Sequence, residues 1–592
     1  MKKMKSPFEY SSPEAMTASD VIELFVPVFG EYHNIPNIGH TFINGPRGSG
    51  KSMIFRYMSP DCQLLLNKSS IENLEYFGIH IPIKEGQLDK TDLKLLKGNK
   101  GELLLNEHFM IVNFAIKIFE VLAKVDFKNS EKNLNSLRNF YNNEFKELLY
   151  TKEDLLDDKS ENDIKACKEY FLKMKKACSK VNSLFSNEFI PKLYLSDSES
   201  IKYEGPIYSF HSFLLELLRS IKQLPFMPNG PIYLLIDDAD NLSEVQTKIL
   251  NTWVSSRTSK TLSFKISTQL RYKTYRTING SRIDTPHDYA EINLSDIYTT
   301  SKGQYKDRVR EAVERRLKKF GLKEVSADDF FPDDVDQEKN IEKLFAKYKE
   351  QYGYDYAYRY ARPDFMKRLK GNLNTYSYAG FNSLVHISSG VMRHFIDFAH
   401  KMFTHQYSKY ESEVLFIDPE IQNTEIKNYS IWYFQENFTK LLDDRENTDD
   451  ELNEIIKLRN LLEALGQTFN LILFSDATER RVFSFALQDE PNDELRRVLK
   501  LGVETGYLHK SFIGNKMGTG KAQLFVLNRL LAPYFKLDPT SFAGYKFVTS
   551  QVLMEAIYKP TTVIGRIKTK GVDSVMGNPQ QSLFKDEDYG YN

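Results

Sequence analysis

GPRGSGKS, from Gly45 to Ser52, is the stretch that decides the fold. It matches the phosphate-binding loop pattern G-x-x-x-x-G-K-[ST] at every fixed position. The apolar run Thr41–Ile43 before it predicts a strand, and the residues from Met53 to Met58 predict the start of a helix. A strand, a glycine-rich loop and a helix in this order predict a nucleotide-binding α/β domain.

The residue types of this loop suit phosphate binding. Its glycines let the backbone point successive N–H groups at phosphate oxygens, and the following helix adds the positive end of its dipole. Lys51 is expected to contact the β- and γ-phosphates, and the Ser52 hydroxyl to hold Mg²⁺. A glycine-rich turn without ligand is the alternative. The predicted loop ligands of the nucleotide are Gly45, Pro46, Arg47, Gly48, Ser49, Gly50, Lys51 and Ser52.

A strand that ends in two acids predicts the second half of the site. The run Pro231–Asp238 is apolar until it reaches Asp237 and Asp238, which is typical of a central parallel strand covered on both faces. Asp237 is expected to lie beside the phosphate loop and bind Mg²⁺, and Asp238 to orient or deprotonate the attacking water. Two unpaired carboxylates at a buried strand end are costly, which favours this role over a plain acidic turn.

Three further runs predict the rest of a parallel sheet: Tyr76–Ile83, Thr261–Thr268 and Asp288–Leu294. Pro82 indicates that the first of them lies at an edge or a strand end. Helical segments separate the runs, and such sheets bind ligands at the carboxyl ends of their strands. Thr268 or Gln269 is therefore expected to face the γ-phosphate, and an ordinary loop residue is the alternative.

Composition indicates a globular protein without an overall attraction for nucleic acid or membranes. The 592 residues are 41% hydrophobic and 27% charged, with 80 basic and 80 acidic side chains. This length predicts about three to four domains, and any charged site must be a local patch. Three cysteines without a C-x-x-C pair argue against zinc and fit a reducing cytoplasm. No signal peptide and no membrane-spanning run is found in the sequence, so we expect a cytoplasmic protein and no membrane partner.

The order of these parts resembles an AAA+ ATPase of the origin-recognition/cell-division-control type. It is most similar to the bacterial ORC-CDC-like ATPases, many of which occur in mobile or defence-associated loci. The resemblance spans about residues 20–400 and implies an AAA+ core, ATP and Mg²⁺ as cofactors, and hydrolysis of ATP to ADP and phosphate. The stretches that carry it are GPRGSGKS, LLIDDADNLS (Leu234–Ser243), ILNTWVSSR (Ile249–Arg257), KISTQ (Lys265–Gln269) and SSGVMRHF (Ser388–Phe395).

The resemblance implies the Walker A pair at Lys51 and Ser52 and the Walker B pair at Asp237 and Asp238. Asp238 departs from the pattern, because AAA+ enzymes usually have Asp-Glu at these positions. The shorter side chain of Asp238 would lie farther from the water, and Asp-Asp is common in the STAND class of signalling NTPases. The departure favours a slow switch over rapid turnover.

The resemblance also implies the residues that sense the γ-phosphate. Thr268 or Gln269 falls at sensor 1, and Arg393 matches sensor 2, for which an exposed helix arginine is the alternative. Arg257 is the candidate arginine finger offered to a neighbouring subunit. Its competitors are Arg271, Arg276 and Arg316.

Charge and periodicity predict the parts of the chain. Residues 1–296 form the core with a helical hairpin inserted at about 124–196, which is either a partner-contacting arm or a solvated surface excursion. Residues 297–410 form a helical lid. Within it, Tyr352–Phe365 interleaves tyrosines with arginines, and these tyrosines are expected to fill a gap between domains or to stack on bases.

The C-terminal part predicts a winged-helix-like domain at 411–558 and a flexible tail at 559–592. Two helical stretches precede a hairpin whose turn is GNKMGTGKAQ. This turn is not a second phosphate loop, because its glycine spacing is off by one and Ala522 stands where Ser or Thr is needed. Basic residues make the wing suitable for phosphates, and protein docking is the alternative. They are Lys510, Lys516, Lys521 and Arg529.

The sequence thus predicts an α/β P-loop NTPase with a helical insertion, a helical lid and a winged-helix-like domain. The leading function is an ATP-dependent regulatory switch in an anti-phage defence or mobile-element system. An initiator-like protein whose grip on duplex DNA is controlled by ATP and a non-hydrolysing nucleotide-binding scaffold are the alternatives. The sequence offers no nuclease, protease or NADase centre, so the expected partners are further copies of the chain or a separately encoded effector.

Overall fold

A computed structural model describes residues 5–9, 12–27, 30–84, 101–149, 164–195, 203–256, 261–270, 272–294, 302–369, 375–443, 448–475, 479–514, 521–540, 544–570 and 575. Contacts divide the chain into two units. The core unit comprises Ser11–Gly45 and Gly50–Leu294. The helical unit comprises Met1–Tyr10, Pro46–Ser49 and Ser295–Asn592, so that four residues of the phosphate-binding loop group with it.

A parallel sheet lies at the centre of the core unit, with described strands in the order β2-β3-β4-β1-β5. All four neighbouring pairs are parallel. Every residue of β1, β3 and β4 is buried, which explains their almost continuous apolar runs. The predicted strands are all present, and Pro82 lies in an edge strand. The strands are β1 (Thr41–Asn44), β2 (Phe77–Pro82), β3 (Ile232–Asp237), β4 (Leu262–Thr268) and β5 (Ala290–Asn293).

Helices pack on this sheet and connect its parallel strands. The apolar side of α4 is buried among the sheet residues in one hydrophobic cluster. A reciprocal pair of hydrogen bonds between Ser243 and Gln246 caps α10. The helices are α1 (Ala18–Leu24), α2 (Lys51–Tyr57), α3 (Pro60–Asn67), α4 (Glu102–Lys124), α5 (Glu131–Asn139), α6 (Lys146–Leu149), α7 (Cys167–Ser183), α8 (Ile190–Leu195), α9 (Leu215–Gln223) and α10 (Glu244–Val254).

The inserted segment belongs to the core of this unit. Its apolar residues, from Leu137 on α5 to Val181 on α7, join the same buried cluster as the sheet. π-Helical turns connect its helices at Phe140–Phe145 and Leu184–Phe189. The expectation of a solvated excursion is therefore wrong, because one face of each helix is needed to cover the core. A partner contact through the exposed face stays a prediction, and residues 150–163 lie outside the description.

The helical unit begins with a run of helices. Pro363 lies inside α14, and a buried hydrogen bond joins the hydroxyls of Tyr305 and Ser388 at 2.8 Å. The helices are α11 (Lys302–Phe320), α12 (Ala327–Phe330), α13 (Val335–Tyr352), α14 (Tyr354–Arg368), α15 (Phe381–Ile387), α16 (Met392–Tyr410), α17 (Pro419–Ile431), α18 (Asn437–Leu442), α19 (Asp449–Leu473), α20 (Asp493–Glu504), α21 (Ala532–Phe535), α22 (Ser550–Tyr558) and α23 (Pro560–Lys570).

A second sheet lies near the C-terminus of this unit, with described strands in the order β7-β8-β6-β9. The predicted hairpin is present as the antiparallel pair β7–β8. The sequence analysis did not predict β6, antiparallel to β8, or β9, parallel to β6. One described helix, α20, lies between β6 and β7. The strands are β6 (Val482–Leu487), β7 (Leu508–Gly514), β8 (Lys521–Leu527) and β9 (Gly544–Val548).

Two further expectations for the helical unit are wrong in part. The tail expected at 559–592 begins with the helix α23, whose Val563, Ile564 and Ile567 are buried, and residues 571–574 and 576–592 lie outside the described residues. The tyrosines of Tyr352–Phe365 do not all fill a gap between domains, since the tyrosine side chains at 352, 354, 356 and 358 are exposed.

No described helix has the length and apolar content that a membrane span requires.

Candidate nucleotide-binding site

The loop after β1 adopts a conformation that requires glycine. Gly48 and Gly50 have φ angles of 89° and 99°, in the left-handed region. Gly50 is the residue before the first turn of α2, which begins at Lys51. The Gly45 N–H donates to the Thr268 carbonyl at 3.2 Å, so the loop starts from the carboxyl end of β4.

Two polar side chains of the loop are buried and suit a phosphate group. The Lys51 ammonium is almost fully buried and donates to the Gly45 carbonyl at 2.8 Å. The hydroxyl of Ser49 is buried and has no hydrogen-bond partner among the described residues. A buried hydroxyl without a partner is costly, and a phosphate oxygen would accept its hydrogen bond. The loop therefore fits the triphosphate of ATP.

Asp237 is held as a buried carboxylate at the end of β3. It accepts hydrogen bonds from Ser267 and Ser52, and its Oδ2 lies 3.3 Å from His80 Nε2. Burial is the largest single effect and raises the pKa of Asp237, but His80, Ser267 and Ser52 together outweigh it and hold the pKa below its ordinary value. The contact brings the Ser52 hydroxyl and the Asp237 carboxylate together, and such oxygens are the donors that Mg²⁺ prefers.

The strand order explains how Asp237 lies close to the phosphate-binding loop. β3 and β1 do not pair, because β4 lies between them and pairs with both. Asp237 thus lies beside the end of β4, where it accepts from Ser267 of that strand and from Ser52 of α2. Ser267 was not identified from the sequence, since a serine in an apolar strand carries no special pattern.

A second carboxylate lies near Asp237. One ligand atom each of Glu14, His80 and Asp237 lie within 4.8 Å of one another, a spacing that could hold a metal ion. The sequence analysis missed Glu14 and His80. His80 was detectable as a polar residue in the apolar run of β2, whereas nothing in the local sequence of Glu14 connects it with residues more than sixty positions away.

Asp238 occupies a strained backbone position directly after β3. Its φ is 57°, which is uncommon outside glycine. The conformation is held because its N–H donates to Ser267 Oγ at 2.9 Å and to Asp237 Oδ1 at 3.0 Å. Its carboxylate accepts from Gln269 Nε2 at 3.1 Å, and Lys84 Nζ lies 3.9 Å away. The carboxylate is therefore oriented by neighbours before any water is bound.

The two candidates for sensor 1 differ in their contacts. Thr268 is buried, and its hydroxyl donates to the Asn44 side chain of β1 at 2.6 Å. Gln269 donates its side-chain amide to Asp238, and its N–H donates to Asp240 Oδ1 at 3.0 Å. Burial raises the pKa of Asp240. These contacts favour Gln269 as the residue near a γ-phosphate, and that role stays a prediction.

Arg393 contacts the phosphate-binding loop within the helical unit. Its N–H donates to the Gly48 carbonyl at 3.2 Å. A Cβ atom added to Gly48 would lie 2.6 Å from Arg393 Cβ and 3.2 Å from Val391 Cγ1. The residue expected to sense the γ-phosphate thus lies in the first turn of α16 and contacts the loop, and its sensor role stays a prediction.

The arginine finger is not resolved by the described residues. Arg257 and Arg271 lie outside them. Arg276 is exposed and donates to the Gly280 carbonyl at 2.8 Å. Burial lowers the pKa of Arg316 to about 10, so its charge is poorly solvated where it lies. All four arginines stay candidates.

A parallel sheet with a phosphate-binding loop after one strand and an acid at the end of another defines a P-loop NTPase. The chain belongs to the ORC-CDC6-like family, whose model matches residues 6–355 and 339–547. This is an AAA+ ATPase family, and the resemblance inferred from the motifs is confirmed. The search of curated proteins and the search of solved structures returned no match.

Proposed function

We propose that this AAA+ protein is a slow ATP-dependent regulatory switch. Loop residues Gly45–Ser52 bind the triphosphate, Ser52 and Asp237 hold Mg²⁺, and Gln269 and Arg393 sense the γ-phosphate. The observation that carries the proposal is the hydrogen bond from the Arg393 N–H to the Gly48 carbonyl at 3.2 Å. A nucleotide bound in the loop would shift or fix the backbone that is hydrogen-bonded to the first turn of α16. This supports a coupling between the bound nucleotide and that helix.

Slow turnover follows from the surroundings of Asp238. Its carboxylate is short, and one oxygen already accepts a hydrogen bond from Gln269. A base acts on its water within hydrogen-bond reach, and a side chain one methylene shorter than Glu reaches that water less well. A non-hydrolysing nucleotide-binding scaffold is the limiting case of this proposal, and turnover measurements distinguish the two.

We further propose the following organisation and setting. An AAA+ core spans 1–296, a helical lid 297–410 and a winged-helix-like domain 411–558. Copies of the chain, or a separately encoded effector, receive the signal in the cytoplasm, within an anti-phage defence or mobile-element system. The motif resemblance supports this setting, and the ATP site proposed above does not depend on it.

A second candidate function is ATP-controlled binding of duplex DNA, which one observation favours. The strands β7-β8-β6 and the helix α20 contain the hairpin and helix expected of a winged helix. Three basic residues on α20 are exposed: Arg496, Arg497 and Lys500. All three pair with acids: Arg496 with Asp493, Arg497 with Glu454, and Lys500 with Glu504 at 3.7 Å. The parallel strand β9 is an addition to this pattern.

The proposal is tested by titrating a fluorescent ATP analogue into the full chain with Mg²⁺. Lys51→Ala should abolish binding, because the buried ammonium is the cation of the loop. The exposed Lys68→Ala is the matched control and should bind like the wild type. Undiminished binding by Lys51→Ala would overturn the site.

Coupling is tested separately with Arg393→Ala and Arg393→Lys. ATP should slow the proteolysis of the wild-type chain more than ADP does. Arg393→Ala should keep ATP binding within about tenfold, the equivalent of about 1.4 kcal/mol, yet lose the difference between ATP and ADP, and Arg393→Lys should retain part of it. If Arg393→Ala kept the wild-type difference in proteolysis between ATP and ADP, the proposed switch would be refuted. The nucleotide-binding scaffold would then be the remaining function.

A further inference from the structure

The helix α14 exposes an unusual number of aromatic rings. Tyr352, at the end of α13, and Tyr354, Tyr356 and Tyr358 on α14 are 61%, 59%, 37% and 55% exposed. Large aromatic side chains bury most of their surface in ordinary folds, and contiguous exposed apolar surface marks interaction sites. We use the name tyrosine face for the exposed surface that Tyr352, Tyr354, Tyr356, Tyr358 and Arg359 form around the start of α14.

The rings of the tyrosine face form two rows. Residues four apart are neighbours on a helix surface, so Tyr354 and Tyr358 form one row and Tyr356 and Tyr360 the other, which Tyr352 extends. The rings of Tyr354 and Tyr358 are nearly parallel, with an interplanar angle of 10° and centroids 6.5 Å apart. In the other row, Tyr352 to Tyr356 and Tyr356 to Tyr360 are 4.5 and 4.4 Å apart. The two rows lie on opposite sides of α14, since two residues span about 200°, so each row by itself offers successive aromatic planes.

The base of α14 is fixed by charges from the loop before β6. Arg480 lies over the ring of Tyr360 at 4.9 Å and pairs with Asp364 at 2.6 Å. Arg481 lies over the ring of Tyr358 at 5.2 Å and donates to its carbonyl at 3.1 Å. Tyr358 is nevertheless more than half exposed. The rings are held in place while much of their surface stays accessible.

The charges around the tyrosine face indicate its ligand. The exposed cations of α13 and α14 are Lys339, Lys343, Lys347, Lys349, Arg359 and Arg368. The exposed acids of the same two helices are Asp336, Glu342, Glu350 and Asp355, so exposed cations outnumber exposed acids there by six to four, although the whole chain is neutral. Aromatic planes next to cations suit an anionic chain with flat rings, because bases stack on aromatics while phosphates pair with cations.

We propose that the tyrosine face binds single-stranded nucleic acid by stacking unpaired bases on its rings. Duplex DNA does not suit it, since paired bases are stacked on one another and present only their edges. A proline-rich peptide also binds aromatic grooves, but such a peptide gains nothing from the surrounding cations. The proposal concerns α13 and α14 alone and is independent of the ATP site.

The test is fluorescence anisotropy with a labelled oligothymidylate of about twenty nucleotides, which exceeds the site size of known single-strand binders. The full chain should bind it. The triple variant Tyr354→Ala, Tyr356→Ala and Tyr358→Ala should bind at least about tenfold more weakly, since each stacked base contributes about 1–3 kcal/mol. The corresponding triple Tyr→Phe variant should bind like the wild type, because stacking needs the ring and not the hydroxyl.

Three controls make the result specific. Tyr410→Ala removes a tyrosine that is 49% exposed outside the face and should change nothing. A base-free strand of equal length and charge should bind the wild type and the triple Ala variant equally weakly. Circular dichroism should show unchanged helix content in the triple Ala variant, because alanine is the best helix former.

Several outcomes would overturn the proposal. One is full binding of oligothymidylate by the triple Ala variant, and another is no binding by the wild type at low salt. Equal weakening of duplex binding and single-strand binding would assign the tyrosines to another role. A proline-rich peptide that binds the wild type and not the triple Ala variant, while the oligonucleotide binds both equally, would assign the face to peptides.

Discussion

Asp238 combines an unfavourable backbone conformation with a fixed carboxylate. A non-glycine residue in the left-handed region costs about 1–2 kcal/mol, and strained positions of this kind occur often at functional sites. At φ 57°, two hydrogen bonds to its N–H offset the cost, and Gln269 fixes the carboxylate. The strain and the hydrogen bonds together support Asp238 as the residue that positions the attacking water.

Substitutions of Asp238 should separate hydrolysis from binding. Asp238→Ala should bind ATP within a few fold of the wild type and lower the turnover number by about 10²–10⁴-fold, the usual contribution of a positioned acid or base. Asp238→Glu should raise turnover above the wild type if the short side chain limits the rate. Phosphate release and analogue binding, measured on the same preparations, test both statements.

Equal turnover of Asp238→Ala and the wild type would show that another residue positions the water. Asp240→Asn is the matched control, because Asp240 accepts from the Gln269 backbone N–H, whereas the side-chain amide of Gln269 donates to Asp238. It should change turnover less than Asp238→Asn does. A reversed order would transfer the role to Asp240.

The phosphate-binding loop is the element whose geometry leaves least freedom. Gly48 and Gly50 both have positive φ, but their surroundings differ. A Cβ on Gly48 would meet Arg393 Cβ at 2.6 Å, whereas a Cβ on Gly50 would have no atom within 4 Å. The pair therefore separates the cost of strain from the cost of a clash.

Gly50→Ala should cost about 1–2 kcal/mol through backbone strain alone. Gly48→Ala should cost about 1–3 kcal/mol more, because overpacking is added to the strain, and it should displace Arg393. We expect weaker ATP binding in both variants and loss of the ATP-dependent protease protection only in Gly48→Ala. Equal behaviour of the two would mean that the contact between Gly48 and Arg393 has no consequence.

Strand β4 contains a buried lysine that gives the core unit a defined pH dependence. The Lys265 ammonium donates to the Asn37 and Gly39 carbonyls at 2.6 and 2.9 Å and to Thr41 Oγ1 at 3.0 Å. Burial nevertheless lowers the pKa of Lys265 to about 7. In the unfolded chain the same amine stays protonated to about pH 10. The unfolded state therefore binds more protons between these values, so stability rises with pH.

Lys265→Met should remove this dependence. Between pH 7 and 9 the wild-type melting temperature should rise relative to that of the variant, by the equivalent of at most about 1.4 kcal/mol per pH unit. The range stops at pH 9 because buried tyrosines, whose pKa values burial raises, reverse the trend near pH 10. The neighbouring His40 stays neutral throughout, since burial lowers its pKa to about 4. Parallel slopes for Lys265→Met and the exposed Lys132→Met would refute the prediction.

The elements that the sequence predicted are those whose pattern is local. Runs such as Pro231–Asp238 are apolar over their whole length because both faces of the strand are covered. The insertion at about 124–196 was wrongly predicted to be a solvated surface excursion because its sequence is rich in charges. Its apolar residues, spaced three to four positions apart, nevertheless form a buried stripe. Tyrosines at every second position cannot lie on one side of a helix, since two residues span about 200°, so burial of them all was never available to α14.

The composition of the site could be predicted only where residues follow one another in a motif. Lys51, Ser52 and Asp237 come from such motifs. Ser267 and Glu14 act through their distance to Asp237, which the topology of the sheet decides and no short pattern contains. The preference for Gln269 over Thr268 likewise rests on side-chain contacts at the end of β4, which no short pattern contains.

At the scale of the whole molecule, two kinds of nucleic-acid contact are proposed on different surfaces of the helical unit. The tyrosine face relies on stacking, whereas the exposed cations of α20 would rely on phosphates. The affinity of a stacking site depends on bases being unpaired. The affinity of a phosphate site depends on salt, through release of counterions. Salt and strandedness therefore distinguish the two surfaces in one set of titrations.

The initiator-like function makes the clearest prediction at this scale. If α20 binds duplex DNA, the slope of log K against log salt should become less steep by about 0.9 for each phosphate that the protein no longer neutralises. The triple variant Arg496→Ala, Arg497→Ala and Lys500→Ala should therefore weaken duplex binding on all sequences and flatten the slope by up to about 2.7.

A charge-matched variant of the core unit, Lys128→Ala, Lys132→Ala and Lys168→Ala, removes three exposed lysines and should leave the slope unchanged. Anisotropy titrations with duplex DNA at several salt concentrations, with ATP and with ADP, measure these quantities. Equal slopes for the wild type and the α20 variant would exclude α20 as a DNA-binding helix. An ATP-dependent slope that disappears only in the α20 variant would favour the initiator-like protein over the switch that acts through a protein partner.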